Sequence, residues 1–324
     1  MKKNQRLNWR RVFWTFIVCI VSIIAVDCVR RQFYDTTTGS IIVNGNFKSL
    51  DISGSNITIL STDSEPDAEG SVEHLGYSQI NVSRESMYTG SLCLINAGNT
   101  ANGIFLSMTG LAETKNDFYI LRDENMVLSI EAAGQLNKMM SDYNAATGND
   151  NFVVYSTTQS YSGEDSIYTV SYPESITGYT VDLAIKSSSG EIIEYDGMDT
   201  ESWIIDNCTK YGFIVRYPQD KESITGVSAS VAHLRYVGDV HAAIMKEKNY
   251  CLEEYIDFLK SYTLDTGAFE YTLNEKTYEI YYASADMNGA ETTISVPVDF
   301  NYTISGNNID GFIITLVLAY AEEK

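Results

Sequence analysis

Apolar positions along this chain change period several times. Between Leu128 and Tyr143 they recur at Leu128, Ala132, Leu136, Met139 and Tyr143, the spacing of a helix with one buried face. Ser129 stands ready as its N-cap and Gly148 follows its end. Asp199 to Tyr211 reads as a second helix stopped by Gly212, and Leu252, Tyr255, Ile256 and Leu259 mark a third after Asn249. Strand-like runs cover Gln79 to Val82, Leu92 to Ile95, Phe152 to Tyr155, Tyr179 to Ile185 and Phe213 to Tyr217. The first two flank polar Ser83 to Gly90 and predict an edge hairpin. Beyond residue 263 the texture is β-rich (TYEIYYASA, TTISVPVDFNYTIS, GFIITLVLAY), with turn signals at Gly267, Asn288-Gly289 and Gly306-Asn307-Asn308.

The N-terminal end has a different pattern. VFWTFIVCIVSIIAV, residues 12 to 26, is an unbroken apolar run of 15, extendable toward Val29 only across Asp27 and Cys28. Residues 1 to 31 carry seven cations and one anion, whereas the rest carries 15 against 42, a net of −27. A basic end before an apolar core is an uncleaved anchor or a cleaved signal peptide, and either exports the remainder of the chain. No small-residue cleavage site follows the core, which favours an anchor through residues 12–29, an N-terminus in the cytoplasm and an extracytoplasmic remainder. Residues 32–70 are rich in Ser, Thr, Gly, Asn and Asp and read as a stalk. The chain then divides into 1–31 (basic end and membrane segment), 32–70 (stalk), 71–262 (main domain) and 263–324 (C-terminal β-rich unit).

Composition narrows the functions. With 324 residues, 44% hydrophobic, and only four prolines, the chain folds. A net charge of −21 excludes nucleic acid as a partner, since phosphates need clustered cations. Cys93, Cys208 and Cys251 are an odd set without C-x-x-C spacing, which leaves room for one disulfide of unspecified pairing and gives no thiolate zinc site. Only three histidines exist, His74, His233 and His241, and there is no H-E-x-x-H, G-x-S-x-G, P-loop or G-x-G-x-x-G.

One set of segments does carry a resemblance. Asn207-Cys208-Thr209-Lys210-Tyr211-Gly212-Phe213-Ile214-Val215-Arg216-Tyr217-Pro218, then His233-Leu234-Arg235-Tyr236-Val237-Gly238 and His241-Ala242, resemble the VanY-type D-alanyl-D-alanine carboxypeptidases. These are zinc peptidases that trim the terminal D-alanine of cell-wall stem peptides. The likeness spans roughly 71 to 324 and includes Leu252 to Tyr255 and the stretch Tyr302 to Asn308 with Gly311 to Ile313. It implies an α+β fold, a mostly antiparallel sheet with helices on one face, followed by the β-rich extension.

The family motif S-x-H-x-x-G-x-A-x-D falls on Pro173 to Asp182. Gly178 and the ligand Asp182 are kept, whereas the ligand His position is Ser175 and the substrate-binding Ser position is Pro173. The motif E-x-W-H falls on Ser230 to His233, so the ligand His233 remains and the general base is Ser230. The Arg that would pair with a substrate carboxylate is Gln159. A catalytic zinc needs about three protein ligands and an open position. Loss of the base alone removes roughly 10²–10⁴-fold in rate. The resemblance therefore implies a fold without its chemistry: a vestigial pair Asp182 and His233, no zinc or other cofactor, and binding of a stem peptide or another envelope protein. Arg216, Arg235 and Tyr236 are candidate ligand contacts, the two arginines having local ion pairs as their other reading. The alternative is an active, diverged zinc carboxypeptidase in which Glu174 swings into the Ser175 gap. A purely structural ectodomain is a third reading.

Overall fold

The computed structural model describes residues 76–102, 107–158 and 172–320. The expected membrane segment 12–29, the expected stalk, His74 and Gln159 lie outside them. Among the described residues, no helix is long and apolar enough to cross a membrane.

In chain order the strands are β1 (Tyr77–Ser83), β2 (Met108–Gly110), β3 (Ile120–Leu121), β4 (Val127–Ser129), β5 (Phe152–Ser156), β6 (Thr180–Lys186), β7 (Ile192–Glu194), β8 (Phe213–Tyr217), β9 (Ser230–Tyr236), β10 (Phe269–Leu273), β11 (Lys276–Ser284), β12 (Glu291–Pro297), β13 (Tyr302–Gly306) and β14 (Gly311–Tyr320). The longer helices are α1 (Ile130–Thr147), α2 (Ser202–Asn207), α3 (Asp239–Lys248) and α4 (Leu252–Leu259). The fold is α+β. A six-stranded sheet runs β3-β5-β6-β9-β8 with β7 beside β6, and only β3 and β5 pair in parallel. A four-stranded sheet, β10-β11-β14-β13, follows.

Alternation along the strands gives the large sheet two unlike faces. Phe152, Val154, Val181, Leu183, Phe213, Ala232 and Leu234 form one core with the buried face of α1. Ser129 caps α1 by accepting from Ala132 N at 3.1 Å, and Gly148 ends it at φ +76°. Asp182, His233, Arg235, Ile214 and Arg216 occupy the intervening positions and so share the other face. A register shift between Val154 and Ser156 inserts Tyr155 as a bulge and brings Ser156 opposite Asp182.

Helices cover both faces, not one. Ile214 joins α3 and α4 in a second core with Ile280 and Ile313 of the C-terminal sheet. The reason is α3's apolar set, Val240, Ala242, Ile244 and Met245, which has the second sheet to pack against.

Two local expectations change. Leu92 to Ile95 is no strand, and β1 pairs with β12 instead. The backbone there finds other partners: Leu92 N donates to Ser305 Oγ, Leu94 N to Asn307 O, and Leu94 O accepts from Asn308 Nδ2. Apolar side chains were legible at 92–95, but a buried loop and a strand have the same need for them. The helix at 199–211 is α-helical only over Ser202–Asn207, with 3₁₀ turns on either side before Gly212 at φ +76°. Asp, Asn, Cys and Thr there have little intrinsic preference for the α-helix. Cys93, Cys208 and Cys251 are free and buried.

Asn308 is the clip between the 87–100 segment and the second sheet. It sits at φ +60°, and its amide donates to Leu94 O at 2.9 Å and Thr100 O at 3.1 Å. Asn308→Ala would take the side-chain donor from Leu94 O and one of two from Thr100 O, which keeps Asn102 Nδ2, and would put a residue with no polar side chain in the left-handed region, which Asn tolerates better. A stability loss of about 2–4 kcal/mol is expected in urea unfolding, and an unchanged midpoint would show that the clip is dispensable.

Candidate functional site

The site is built where three strands meet one short turn. Asp182 of β6 lies across from His233 of β9 and from Ser156 of β5, so strand register alone brings these three together. Arg235 follows His233 by two positions on the same face, and Arg216 enters from β8. The covering segment is a 3₁₀ turn, Pro173–Thr177, ended by Gly178 at φ +72°. That conformation suits glycine, and it directs Gly178 O onto Ser129 N at 2.7 Å, which ties the turn to the start of α1.

Glu174 hangs from this turn into the protein and is fully buried. Its Oε1 accepts from His233 Nε2 at 3.1 Å and Tyr217 Oη at 2.9 Å. Its Oε2 accepts from Arg216 Nε and Arg235 Nη1, each at 3.1 Å. A carboxylate offers about four acceptor positions, and here four donors fill them. Burial works to raise the Glu174 pKa, but Arg216, His233 and Arg235 outweigh it and hold the carboxyl well below its usual range.

His233 is held from both sides. Nδ1 faces Asp182 Oδ1 at 2.5 Å while Nε2 faces Glu174 Oε1. Both neighbours are acceptors when ionised, so the ring satisfies them by carrying two N–H groups, as an imidazolium. Burial alone would lower its pKa, yet the two carboxylates, Asp182 first, raise it above the ordinary value. Asp182 Oδ2 accepts from Ser156 Oγ. Farther in, Arg216 forms a two-pronged pair with Glu253 of α4, at 2.8 and 2.7 Å. Arg235 completes its set on Ser91 O and Cys93 O. Three carboxylates, two guanidinium groups and one imidazolium thus close a neutral buried network.

The remaining positions surround it. Ser175 is buried in the turn and Pro173 beside it is exposed, while Ser230 is half-buried at the start of β9. Tyr172 lies over His233, ring centroids 3.9 Å apart, and stacks on Tyr217 at 5.0 Å. Tyr236 stacks on Tyr179 at 6.3 Å and packs in the first core. Arg216 and Arg235 are both fully buried and committed to carboxylates and carbonyls, the local ion-pair reading of the sequence. His241 is buried in α3 between Tyr255 and Thr315, and burial pushes its pKa down to about 3.

Whether this donor set fits zinc is a question of lone pairs. Glu174, Asp182 and His233 converge, as a replacement ligand set requires. They do so with both imidazole nitrogens turned to carboxylates and every Glu174 acceptor position filled. Among the described residues no group of three or more His, Cys, Asp or Glu is disposed to hold a metal ion. The residues present do not fit a zinc ion.

Ser156 and Glu253 do not stand out in the sequence as site residues, whereas Tyr172 falls among the tyrosines that cluster around the motif. Ser156 depends on a bulge, and Glu253 on a tertiary contact 37 positions from Arg216. Nothing local announces either.

Comparison with known proteins agrees with the order of these segments. A sequence profile for VanY, D-alanyl-D-alanine carboxypeptidase, matches residues 171–239. A D-alanyl-D-alanine carboxypeptidase of Enterococcus faecium is 34% identical over 248 residues, covering 72% of this chain and 78% of that relative. The bifunctional D-Ala-D-Ala dipeptidase and D-Ala-D-Ala carboxypeptidase VanXYC of Enterococcus gallinarum is 51% identical over 49 residues, 15% of this chain and 26% of its own. Among solved structures, the vancomycin resistance D,D-dipeptidase VanXYg, crystallised with a D-Ala-D-Ala phosphinate analogue, superposes with a TM-score of 0.63 at 27% identity, covering 75% of this chain and 99% of that one. By the length and identity of the Enterococcus faecium match, and with the sheet, the turn and the Asp182–His233 pair in register, the chain belongs to the VanY-type D-alanyl-D-alanine carboxypeptidase family.

Proposed function

We propose that this chain is a membrane-anchored, extracytoplasmic carboxypeptidase-like protein that has given up zinc peptidase chemistry and acts by binding. Its ligand is a cell-wall stem peptide or another envelope protein. The partition into 1–31, 32–70, 71–262 and 263–324, with residues 12–29 in the membrane, belongs to this proposal. So does the placement of the family motif, with Ser175, Ser230, Pro173 and Gln159 at the lost positions. One observation carries the reading: His233 is pinched between two carboxylates and has no lone pair to offer a metal while it remains an imidazolium. A serine at 230 also lacks a pKa suited to proton transfer.

The active alternative needs Glu174 as the third ligand. Freeing it would strip Arg216 and Arg235 of a buried counter-ion, a rearrangement the packing opposes. Recognition then falls to the surface over the network, where Pro173 and Ile176, the latter 54% exposed, flank Tyr172.

Three outcomes are expected. Full-length protein equilibrated with zinc should carry far less than one ion per chain and release no D-alanine from a D-Ala-D-Ala-terminated peptide. Stoichiometric zinc with release would establish the active reading, and Ser175→His with Ser230→Glu, which should gain zinc, checks the motif placement. Glu174→Gln should cost about 3–5 kcal/mol in chemical unfolding, because it leaves buried arginines short of charge. A neutral effect would show that Glu174 does not hold the network together.

The third concerns pH. His233 has a raised folded pKa, so its stabilising contribution is complete below the unfolded value near 6.5 and is lost as pH rises through the folded value. Glu174 has a lowered one, so its contribution is present above the unfolded value near 4.5 and is lost only as pH falls through the folded value. Unfolding curves across this range should show an alkaline decline that His233→Gln flattens. Parallel pH profiles for the two proteins would mean the imidazolium is absent.

A further inference from the structure

Away from the ionic network, a small cavity of about 40 Å³ lies where the 90–92 loop, the start of α1 and the C-terminal sheet meet. Ser91, Glu131, Tyr179, Thr303, Ser305 and Thr315, all with oxygen-bearing side chains, are among the residues that line it. The volume suits roughly three water-sized occupants. Glu131 belongs to the first turn of α1, where the helix dipole favours a carboxylate. Its side chain leads in from the half-buried surface, and its Oε1, cut off from solvent, meets no donor among the described residues.

The serine hydroxyl groups do not supply that donor. Ser91 Oγ donates to Val237 O at 3.4 Å, and Ser305 Oγ donates to Gly306 O at 3.0 Å while accepting from Leu92 N. Both therefore leave lone pairs, not protons, for other partners. Among the described residues, no cation neutralises Glu131 either. Arg235, the guanidinium of the neighbouring network, is committed to Glu174, Ser91 O and Cys93 O. His241, which also lines the cavity, is kept neutral by burial, its pKa pushed down to about 3. The cavity is thus lined largely by oxygen-bearing side chains, and once Glu131 is ionised it carries one negative charge with no counter-charge among the described residues.

We propose that this cavity is a binding site for one monovalent cation of sodium or potassium size, held by Glu131 Oε1 and the surrounding hydroxyl oxygens. Oxygen donors suit a hard cation. A single carboxylate balances one positive charge, and a divalent ion would bring a second charge into a buried place with nothing to offset it. An anion would face the carboxylate directly. Bound there, the ion ties the 90–92 loop and the main domain to β13 and β14. It also answers the rise of the Glu131 pKa to about 7, which burial causes when no cation is present.

The test is thermal unfolding of the full-length protein at pH 8, where the carboxyl is ionised, in sodium, potassium or N-methyl-D-glucamine chloride at equal ionic strength. One alkali salt should raise Tm by roughly 2–4 °C over the organic cation. Glu131→Gln should abolish the difference. Thr303→Val keeps Glu131 and the fold but removes one oxygen, so the difference should shrink, which preserves the test if Glu131→Gln folds poorly. Equal Tm in the three salts would overturn the proposal, leaving water or a proton as the occupant. So would an alkali effect that persists unchanged in both variants.

Discussion

A carboxylate with no solvent and four donors is the constraint on which this protein's site depends. Glu174 reaches from a five-residue turn to Arg216 of β8, His233 and Arg235 of β9, and Tyr217 at the end of β8. The three charged donors are themselves tied elsewhere. Arg216 holds Glu253 of α4, Arg235 holds the 91–93 loop, and His233 holds Asp182 of β6. Removing any one of them leaves an uncompensated charge in the interior, so the turn, three strands, a helix and a loop are fixed as one unit.

On the function proposed above, the same arrangement explains how such a scaffold persists without metal chemistry. A buried aspartate and histidine facing each other need positive charge between or around them. In a zinc site the ion supplies it. Here a proton on His233 and the two arginines supply it, and the network closes neutral. Asp182 and His233 are thus retained by electrostatics whether or not they ever meet a metal. Their presence is a packing fact as much as a functional trace.

Much of this was legible in the sequence, for identifiable reasons. Periods of three and four gave α1 and α4, Gly148 gave the end of α1, Gly212 gave the stop of the 199–211 segment, and β-rich runs gave the C-terminal sheet. Gly178, Asp182 and His233 were legible because the motif spacing is set by one turn and two adjacent strands. The 92–95 loop was not, because an apolar segment whose backbone bonds go to Ser305, Asn307 and Asn308 has no periodic signature. Glu253 and Ser156 were hidden for a different reason: one requires the α4 docking and the other a bulge.

Tyr172 shows where the ionic network meets the surface. Its ring lies against the His233 imidazole and stacks on Tyr217, whose hydroxyl donates to Glu174. On the proposed reading, a ligand set would return only if Glu174 gave up its bonds to His233, Arg216 and Arg235. On that reading the present state is a packed and charge-balanced structure of its own, rather than an active site lacking one part.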